Sequence, residues 1–481
     1  MKKIHFMGIG GSGANAAAGL AHGMGYEVSG CDLKHSVYAH NLERLGIPIQ
    51  YEHNVDHLSG VDVVCITPAL LALKNVPEEF RFAKKNCKVM TWQEFMGGEL
   101  QKDKDVIAIA GTKGKSTTTT FVGRILELCN FDPIVQVGAD VKEWGQNFRI
   151  GRGTQFVCEA DEFNNNFLNF VPNIAVITSL SFDHPEYFES FEGYIESFVE
   201  FVSQMDRDSS LIINIDSEGV RQLLSRIDFF HGKIITFGTS DVADYKIEYY
   251  EYDFKTGSSR VDLRYFVAEA SYVPGGTMSF ENVSRFISIR LPFVGAHNAM
   301  NFIPALIIAR SYGVELQKIL DLSGSLSLPG RRFDYKGSLN GAALYDDYAH
   351  SPMSVKVALR GAREAYPDKY LIALCQPHMY SRTLSLLDEY RDAFNDADEL
   401  ILLPIYASRE EGSDLKDKVN SQMIADVVKM SNDELKVSCV TSIEEVVSLL
   451  KFRLDEGVVL VNLGAGDNYK ITDLLLEGNC I

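Results

Sequence analysis

Long apolar runs, clustered cysteines and a surplus of basic residues are all missing from this chain, and each absence removes a class of protein. No stretch of about 18 consecutive apolar residues occurs, so no membrane-spanning helix is expected. Cysteines are present at Cys31, Cys65, Cys87, Cys129, Cys158, Cys375, Cys439 and Cys480, but none has CxxC spacing and most lie in apolar runs. Buried free thiols in a reducing cytoplasm are the expectation. Lys and Arg number 46 against 65 Asp and Glu, a net charge of -19. A nucleic-acid binder needs a basic face, so nucleic acid is not an expected partner. An anionic substrate stays open, because local loops can still be positive. Heptads and short internal repeats are absent as well. The opening MKKIHFMGIGG carries two lysines and then turns glycine-rich, which reads as a first β-strand and not as a signal peptide.

What remains is globular: 481 residues, 46% hydrophobic and 23% charged, too long for one core and consistent with two to four domains. Residues 1 to about 100 alternate apolar strands (KIHFMGIG, YEVSGCD, VDVVCITPAL, KVMT) with helical stretches, the pattern of a parallel, doubly wound sheet. MGGELQKDKD, 96 to 105, reads as a linker, its glycines and charges unsuited to a core. A second block follows with TQFVCEADEF, NIAVITSLSFDH, SLIINIDS and KIITFG as strands. Residues 239 to 290 switch to period-two, aromatic-rich patterning, an antiparallel β insertion. SLSLPGRRFDYKG marks a second boundary, after which strands and helices alternate again to the end. The fold class is therefore α/β, three blocks in series.

The chemistry centres on IAIAGTKGKSTTTT, 107 to 120. An apolar strand runs into Gly111, Thr112, Lys113 and Gly114, then Lys115, Ser116 and Thr117 open a helix. Backbone N–H groups of such a loop point at phosphate oxygens, the lysine adds a charge, and the adjacent hydroxyl can ligate Mg²⁺. The first glycine of a standard Walker A would fall at Ile109, so the loop is a variant turned by Gly111. GIGGSG (Gly8, Gly10, Gly11, Ser12, Gly13) also joins a strand to a helix, with Asp32 closing the second strand where a ribose-binding acid would sit. Alone it suggests NAD, but a dehydrogenase would leave the second loop without a task. Glu159, Asp161 and Glu162 end one strand and Asp183 and His184 end the next, natural Mg²⁺ ligands beside a triphosphate loop. His297 and Asn301 are four apart, on one helix face. Arg331 and Arg332 follow the second boundary. Asp346, Asp347, His350, His378 and Arg382 fall at strand ends of the third block, which suggests a binding face.

In order along the chain, GIGGSG, GTKGKSTTT, EADE, DH, HNAMN, GRRFD, DDYAHSP, QPHMYSRT and GAGD resemble the Mur ligases, the ATP-dependent amide-forming enzymes of peptidoglycan assembly. The resemblance implies three domains: 1–100, binding a UDP-sugar; 101–328, binding ATP and Mg²⁺; and 329–481, closing over ATP and bringing the amino acid. It implies that Gly8, Gly10, Gly11, Ser12, Gly13 and Asp32 serve UDP. It places ATP at Gly111, Thr112, Lys113, Gly114, Lys115, Ser116, Thr117, His297, Asn301, Arg332, Asp347 and His350. Ser116, Glu159 and His184 would ligate Mg²⁺, Lys115 would contact the β- and γ-phosphates, and Lys115, His184 and Arg382 would serve catalysis, Arg382 near the substrate carboxylates. The implied substrates are UDP-N-acetylmuramate and an amino acid, L-alanine first and a preformed tripeptide as the alternative. A cytoplasmic monomer or homodimer, away from membranes, is implied. Four positions depart from the family pattern: Lys113 for histidine, Ser116 for threonine, Ser351 for a second histidine, and Met379 for an arginine whose loss removes a charge from the amino-acid pocket.

Overall fold

In the computed structural model, which describes residues 2–71, 75–184, 187–273, 277–408 and 410–477, the strands assemble into three sheets. The first contains β1 (Lys3–Met7), β2 (Glu27–Cys31), β3 (Ile49–Gln50), β4 (Val63–Ile66) and β5 (Lys88–Thr91), in the order β3-β2-β1-β4-β5, all parallel. Starting centrally and winding outward in both directions is the doubly wound arrangement. Both faces are covered, so β1 is apolar on one side through Ile4 and Phe6 and carries His5 and Met7 on the other.

The second sheet is built from β6 (Asp105–Ala110), β7 (Ile134–Val141), β8 (Gln146–Arg149), β9 (Gln155–Glu159), β10 (Ile174–Ile177), β11 (Ser210–Asn214) and β12 (Lys233–Gly238). It continues through β13 (Tyr245–Asp253), β14 (Ser258–Val273) and β15 (Thr277–Leu291) to the order β15-β14-β13-β12-β11-β10-β6-β9-β7-β8. The expected β insertion is thus an extension of this sheet, entered where Phe237 pairs with Tyr245. Parallel pairing of β6 with β10 (Ala110 opposite Ile177) and with β9 (Ile109 opposite Glu159) brings three strand ends to one edge. Ligands of open α/β sheets bind there, beyond the carboxyl ends of the strands.

The third sheet holds β16 (Asp334–Leu339), β17 (Ala342–Asp347), β18 (Tyr370–Cys375), β19 (Glu399–Leu402), β20 (Lys436–Cys439) and β21 (Val458–Leu463), ordered β16-β17-β21-β18-β19-β20. Only β16 runs antiparallel to its neighbour. Asp347 and Cys375 both pair with Leu463, which aligns the loops after β17, β18 and β21.

Compactness divides the chain into two units, Met1–Tyr249 with Val261–Ile289 and Ala299–Leu326, and Tyr250–Arg260 with Arg290–Asn298 and Ser327–Ile481. The first two sheets belong to the same unit because the segment between them is not a linker. Met96 and Leu100 are fully buried in the core that both sheets share, and the chain between them forms a short π-helical turn. Spacing of four puts both apolar side chains on one face, which the glycines and flanking charges obscured. Phe148, also fully buried, joins the same core, and the Asn147 amide donates to the carbonyl of Ser12 (2.8 Å). Seven cysteines are free, five of them buried, as expected; Cys480 lies outside the described residues. Among the described residues no helix is long and apolar enough to cross a membrane.

A methyl group on Gly97 would run into the carbonyl oxygen of Asn169, a backbone atom that cannot rotate away. Gly97→Ala is therefore expected to destabilise by about 1–3 kcal/mol, as overpacking does, read as a lower urea midpoint. A flexible linker would tolerate the change, so an unaltered midpoint would overturn this account of residues 96–105.

Candidate active site

At the end of β6 the backbone turns through Gly111 (φ +123°) and Gly114 (φ +88°) into the helix Lys115–Leu128. Both angles lie where a side chain is strained, and a methyl on either glycine would strike Thr178 or Asn301. The loop is fastened to the segment after β10. Thr112 N–H donates to the Ser179 carbonyl (2.8 Å), Lys113 N–H to the Ser179 hydroxyl (3.2 Å), and the Thr178 hydroxyl to the Lys113 carbonyl (2.5 Å). The helix N-cap is Gly114, which supplies no side-chain acceptor. The first N–H groups of the helix keep their donor capacity and positive dipole end for an anion.

Lys115 Nζ donates to the Gly111 carbonyl (2.7 Å) and to Glu162 (2.7 Å), with Asp161 at 3.9 Å. Burial opposes the ammonium, but the charges of Glu162 and Asp161 outweigh it and hold the lysine protonated, above its ordinary range. Glu162 is fully buried and also accepts from Tyr194 Oη (2.9 Å), whose oxygen lies 2.8 Å from the Thr112 hydroxyl. Thr112 braces the loop from behind, its hydroxyl and N–H both bonded within the protein. Lys113 pairs with Asp183 (3.1 Å).

Beside the loop the fold brings together Asp161, Glu162 and His184, each with one potential ligand atom within 4.8 Å of the others. His184 adopts φ +56° and rests on the Phe163 ring (5.0 Å between centroids). Burial raises Asp161 to about 6, with Lys115 pulling down and Glu162 pushing up, although nearly half of its side chain is accessible. Carboxylates with one imidazole suit a hard divalent cation. Glu159 is outside this group: its carboxylate accepts from Gly138 N–H (2.5 Å) on β7. Ser116 is buried in the first helical turn, followed by Thr117.

In the first sheet, Gly8 (φ +78°) donates to the Cys31 carbonyl (2.8 Å), and Gly11 is the uncapped N-cap of the helix Ser12–Gly23, the same anion-ready geometry. Asp32 accepts from Gly10 N–H (2.9 Å) and Lys34 N–H (3.0 Å), so its carboxylate pins the glycine loop. Gly13 packs against Trp92.

Asn301 and His297 share the helix Ala296–Ser311, as the spacing predicts, yet they belong to different compact units. Asn301 lies against Gly114, whereas the exposed His297 ring packs on Gly295. In the second unit, Arg331 donates to Asp346 (2.7 Å) and to the Gly464 carbonyl (2.6 Å). Arg332 stacks over Tyr348 (5.6 Å). Asp347 accepts from Phe333 N–H (2.7 Å) and Ala349 N–H (2.8 Å), which makes it a loop anchor; burial raises its pKa against Arg332. His350 lies beside His378 (5.4 Å between rings). Ser351 caps the helix Pro352–Ala365 in a capping box with Ser354. Met379 is buried at φ +66° as N-cap of the helix Tyr380–Ser385, which buries Arg382. Sequence reasoning missed Tyr194, Asn462 and Asn468. Nothing local marks Tyr194, and the two asparagines, bonded to each other (2.8 Å), owe their role to the pairing of β17 with β21.

A variant phosphate loop with a charged lysine, a carboxylate–histidine group beside it and two further loop-bearing α/β sheets define a nucleotide-using enzyme of three-sheet architecture. Family models agree in order: "Mur ligase family, catalytic domain" matches residues 3–103, "Mur ligase middle domain" 109–309, and "Mur ligase, glutamate ligase domain" 331–466. A UDP-N-acetylmuramate–L-alanine ligase of Clostridium novyi is 32% identical over 99% of this chain and 97% of its own. One of Anaeromyxobacter sp. is 34% identical over 97% and 95%. Among solved structures, the UDP-N-acetylmuramate–alanine ligase of Thermotoga maritima superposes with a TM-score of 0.80 at 24% identity, covering 99% of both chains. A murein peptide ligase of Psychrobacter arcticus gives 0.70 at 20% identity, covering 100% of both. The chain belongs to the Mur ligase family.

Asp346 supplies a pH test of the second unit. Almost fully buried, its carboxyl is raised from 3.8 to about 6 by burial, which outweighs Arg331. Between those values the folded state keeps a proton that the unfolded state has released, so this group's contribution falls as pH rises through the window. Asp346→Asn cannot titrate. From about pH 4 to pH 6 the stability difference is expected to move toward the variant, by roughly 3 kcal/mol at most, in urea unfolding at each pH. A flat difference would exclude the buried proton.

Proposed function

We propose that this protein is an ATP-dependent ligase that joins L-alanine to the lactyl carboxylate of UDP-N-acetylmuramate through an acyl phosphate, in peptidoglycan precursor synthesis in the cytoplasm. The observation that carries the reading is identity of 31–34% with enzymes of that name, over 97–99% of the chain in all but one of the relatives compared. The local geometry fits it. The uncapped helix Lys115–Leu128 and the charged Lys115 suit the β- and γ-phosphates of ATP, and the uncapped helix Ser12–Gly23 suits the UDP diphosphate.

A carboxylate is a weak nucleophile and the γ-phosphate is crowded with negative charge, so the enzyme must neutralise that charge and align the groups. Lys115, held by Glu162 and the Gly111 carbonyl, presents its ammonium at the loop. The carboxylate oxygen attacks the γ-phosphorus as ADP leaves; the neutral amine of alanine then attacks the acyl carbon, giving the amide as phosphate leaves and one amine proton passes to solvent. Ser116 and Glu159 would hold one Mg²⁺, as the family pattern assigns, and His184, with Asp161 and Glu162 beside it, a second; when bound, the ions supply charge neutralisation at the phosphoryl oxygens. His297 and Asn301 are assigned to adenine, and Arg332, Asp347 and His350 to the nucleotide. Arg382 is assigned to the substrate carboxylates. Met379, buried where the family pattern has an arginine, leaves the choice of acceptor to the acceptor assay below.

Lys115→Ala is expected to lower ADP formation by about a hundredfold or more, in a coupled ADP assay, while calorimetric binding of UDP-N-acetylmuramate persists. Retained turnover would count heavily against the assignment. A second measurement sets the acceptor. With ATP and UDP-N-acetylmuramate fixed, phosphate release should be fastest with L-alanine, ahead of glycine and L-serine, and slight with the tripeptide L-alanyl-γ-D-glutamyl-meso-diaminopimelate. Release driven by the tripeptide alone would transfer the protein to the recycling branch.

A further inference from the structure

We propose that the first α/β sheet carries a structural transition-metal site, of the kind that takes Zn²⁺, ligated by His5, Cys31, His57 and Glu79. The four come from four separate elements: the middle of β1, the last residue of β2, the 3-10 turn Val55–Leu58, and the first turn of the helix Glu78–Asn86. One ligand atom from each lies within 4.8 Å of all the others. His5, Cys31 and Glu79 are closed to solvent, and His57 is 11% exposed.

Burying a carboxylate away from water costs several kcal/mol unless a cation compensates it. Glu79 has no lysine or arginine partner among the described residues; its ion-pair partners are the imidazoles of His5 (3.4 Å), His53 (2.8 Å) and His57 (3.1 Å). Two of the separations, each to a different oxygen of the Glu79 carboxylate, also have the length of an edge of a coordination polyhedron. Ligands about 2.0–2.3 Å from a tetrahedral zinc stand about 3.3–3.6 Å from one another. Cys31 Sγ lies 3.3 Å from Glu79 Oε2, and His5 Nε2 lies 3.4 Å from Glu79 Oε1. A hydrogen bond at His5 Nδ1, 2.9 Å from the Ser29 hydroxyl, turns Nε2 toward the cluster, the usual outer partner of a metal-bound histidine. His53 Nδ1, against Glu79 Oε2 and 3.5 Å from Cys31 Sγ, orients the carboxylate from outside.

The donor set also selects the ion. One thiolate, two imidazoles and a carboxylate suit zinc and its neighbours, whereas Mg²⁺ asks for oxygen. Four protein ligands close the site, which makes it structural. Coordination releases the Cys31 S–H proton to solvent and changes no oxidation state. The site's place in the fold gives it a task, because the Cys31 carbonyl accepts from the N–H groups of Gly8 (2.8 Å) and Ile9 (3.2 Å). An ion on Cys31 would fix the floor of the GIGGSG loop.

The test uses the full chain, purified without chelator for elemental analysis, then stripped and refilled with Co²⁺. About one metal per chain is expected, with tetrahedral d–d absorption and a thiolate-to-cobalt charge-transfer band. Cys31→Ser should erase the charge-transfer band and keep the d–d bands. His53→Ala should weaken Co²⁺ binding by about 10–100-fold. Substoichiometric metal and no charge-transfer band at saturating Co²⁺ would overturn the proposal in favour of a metal-free network around Glu79. A band that persists in Cys31→Ser would overturn it too, by assigning the cobalt to another thiol.

Discussion

The buried pair between Lys115 and Glu162 is the interaction on which the rest of the central sheet's chemistry depends. Removing two charges from water is unfavourable unless geometry and further hydrogen bonds compensate, and here both do. Glu162 accepts from Lys115 and from Tyr194, and Tyr194 reaches Thr112 at the back of the glycine loop. The result is a closed ring of contacts joining the first turn of one helix, the chain after β9 and the helix Phe191–Ser203. Lys115 is held charged with its Nζ fixed between two acceptors, the preorganisation that the proposed phosphate contact calls for.

The third sheet solves the same problem with different parts. Arg331, at φ +58°, spans Asp346 and the Gly464 carbonyl, while Asn462 donates to Asp346 (3.3 Å) and to the Asn468 carbonyl (2.8 Å). Two loops at strand ends are held by groups buried beneath them, and Asp347 ties the loop ahead of β16 to its own. Position in each sheet comes from register; orientation comes from buried polar groups. Ser351, where the family pattern carries histidine, caps the helix that follows.

What could be read from residue order was whatever is local. The strand, glycine turn and lysine at 107–115 follow one another in the chain, so this strand–turn–helix was legible, as were the GIGGSG turn, the helix with His297 and Asn301, and the alternation of strands and helices. Features set by strand register were not. Glu159 and Glu162 are three residues apart in one acidic motif, yet Glu159 ends β9 facing Gly138 and Glu162 turns inward to Lys115. Choosing between them requires knowing which strand lies alongside. The burial of Met96 and Leu100 in the core that Phe148 also joins was not legible either, because neighbouring glycines and charges mask their spacing. The histidines and Cys31 around Glu79 are scattered over some 75 residues, and only the packing of a helix against the first sheet collects them.

The burial of Met96, Leu100 and Phe148 in a core common to two sheets bears on how the protein can be dissected. Family boundaries invite a cut near residue 104, giving an amino-terminal piece to express by itself. Such a piece would carry a raw apolar scar where Phe148 had rested, and its complement would show the matching wound left by Met96 and Leu100. Faces of that kind associate with whatever apolar surface they meet. A cut at the family seam therefore splits one compact unit, which runs on to Leu326 and is itself interleaved with the second unit at 250–260 and 290–298.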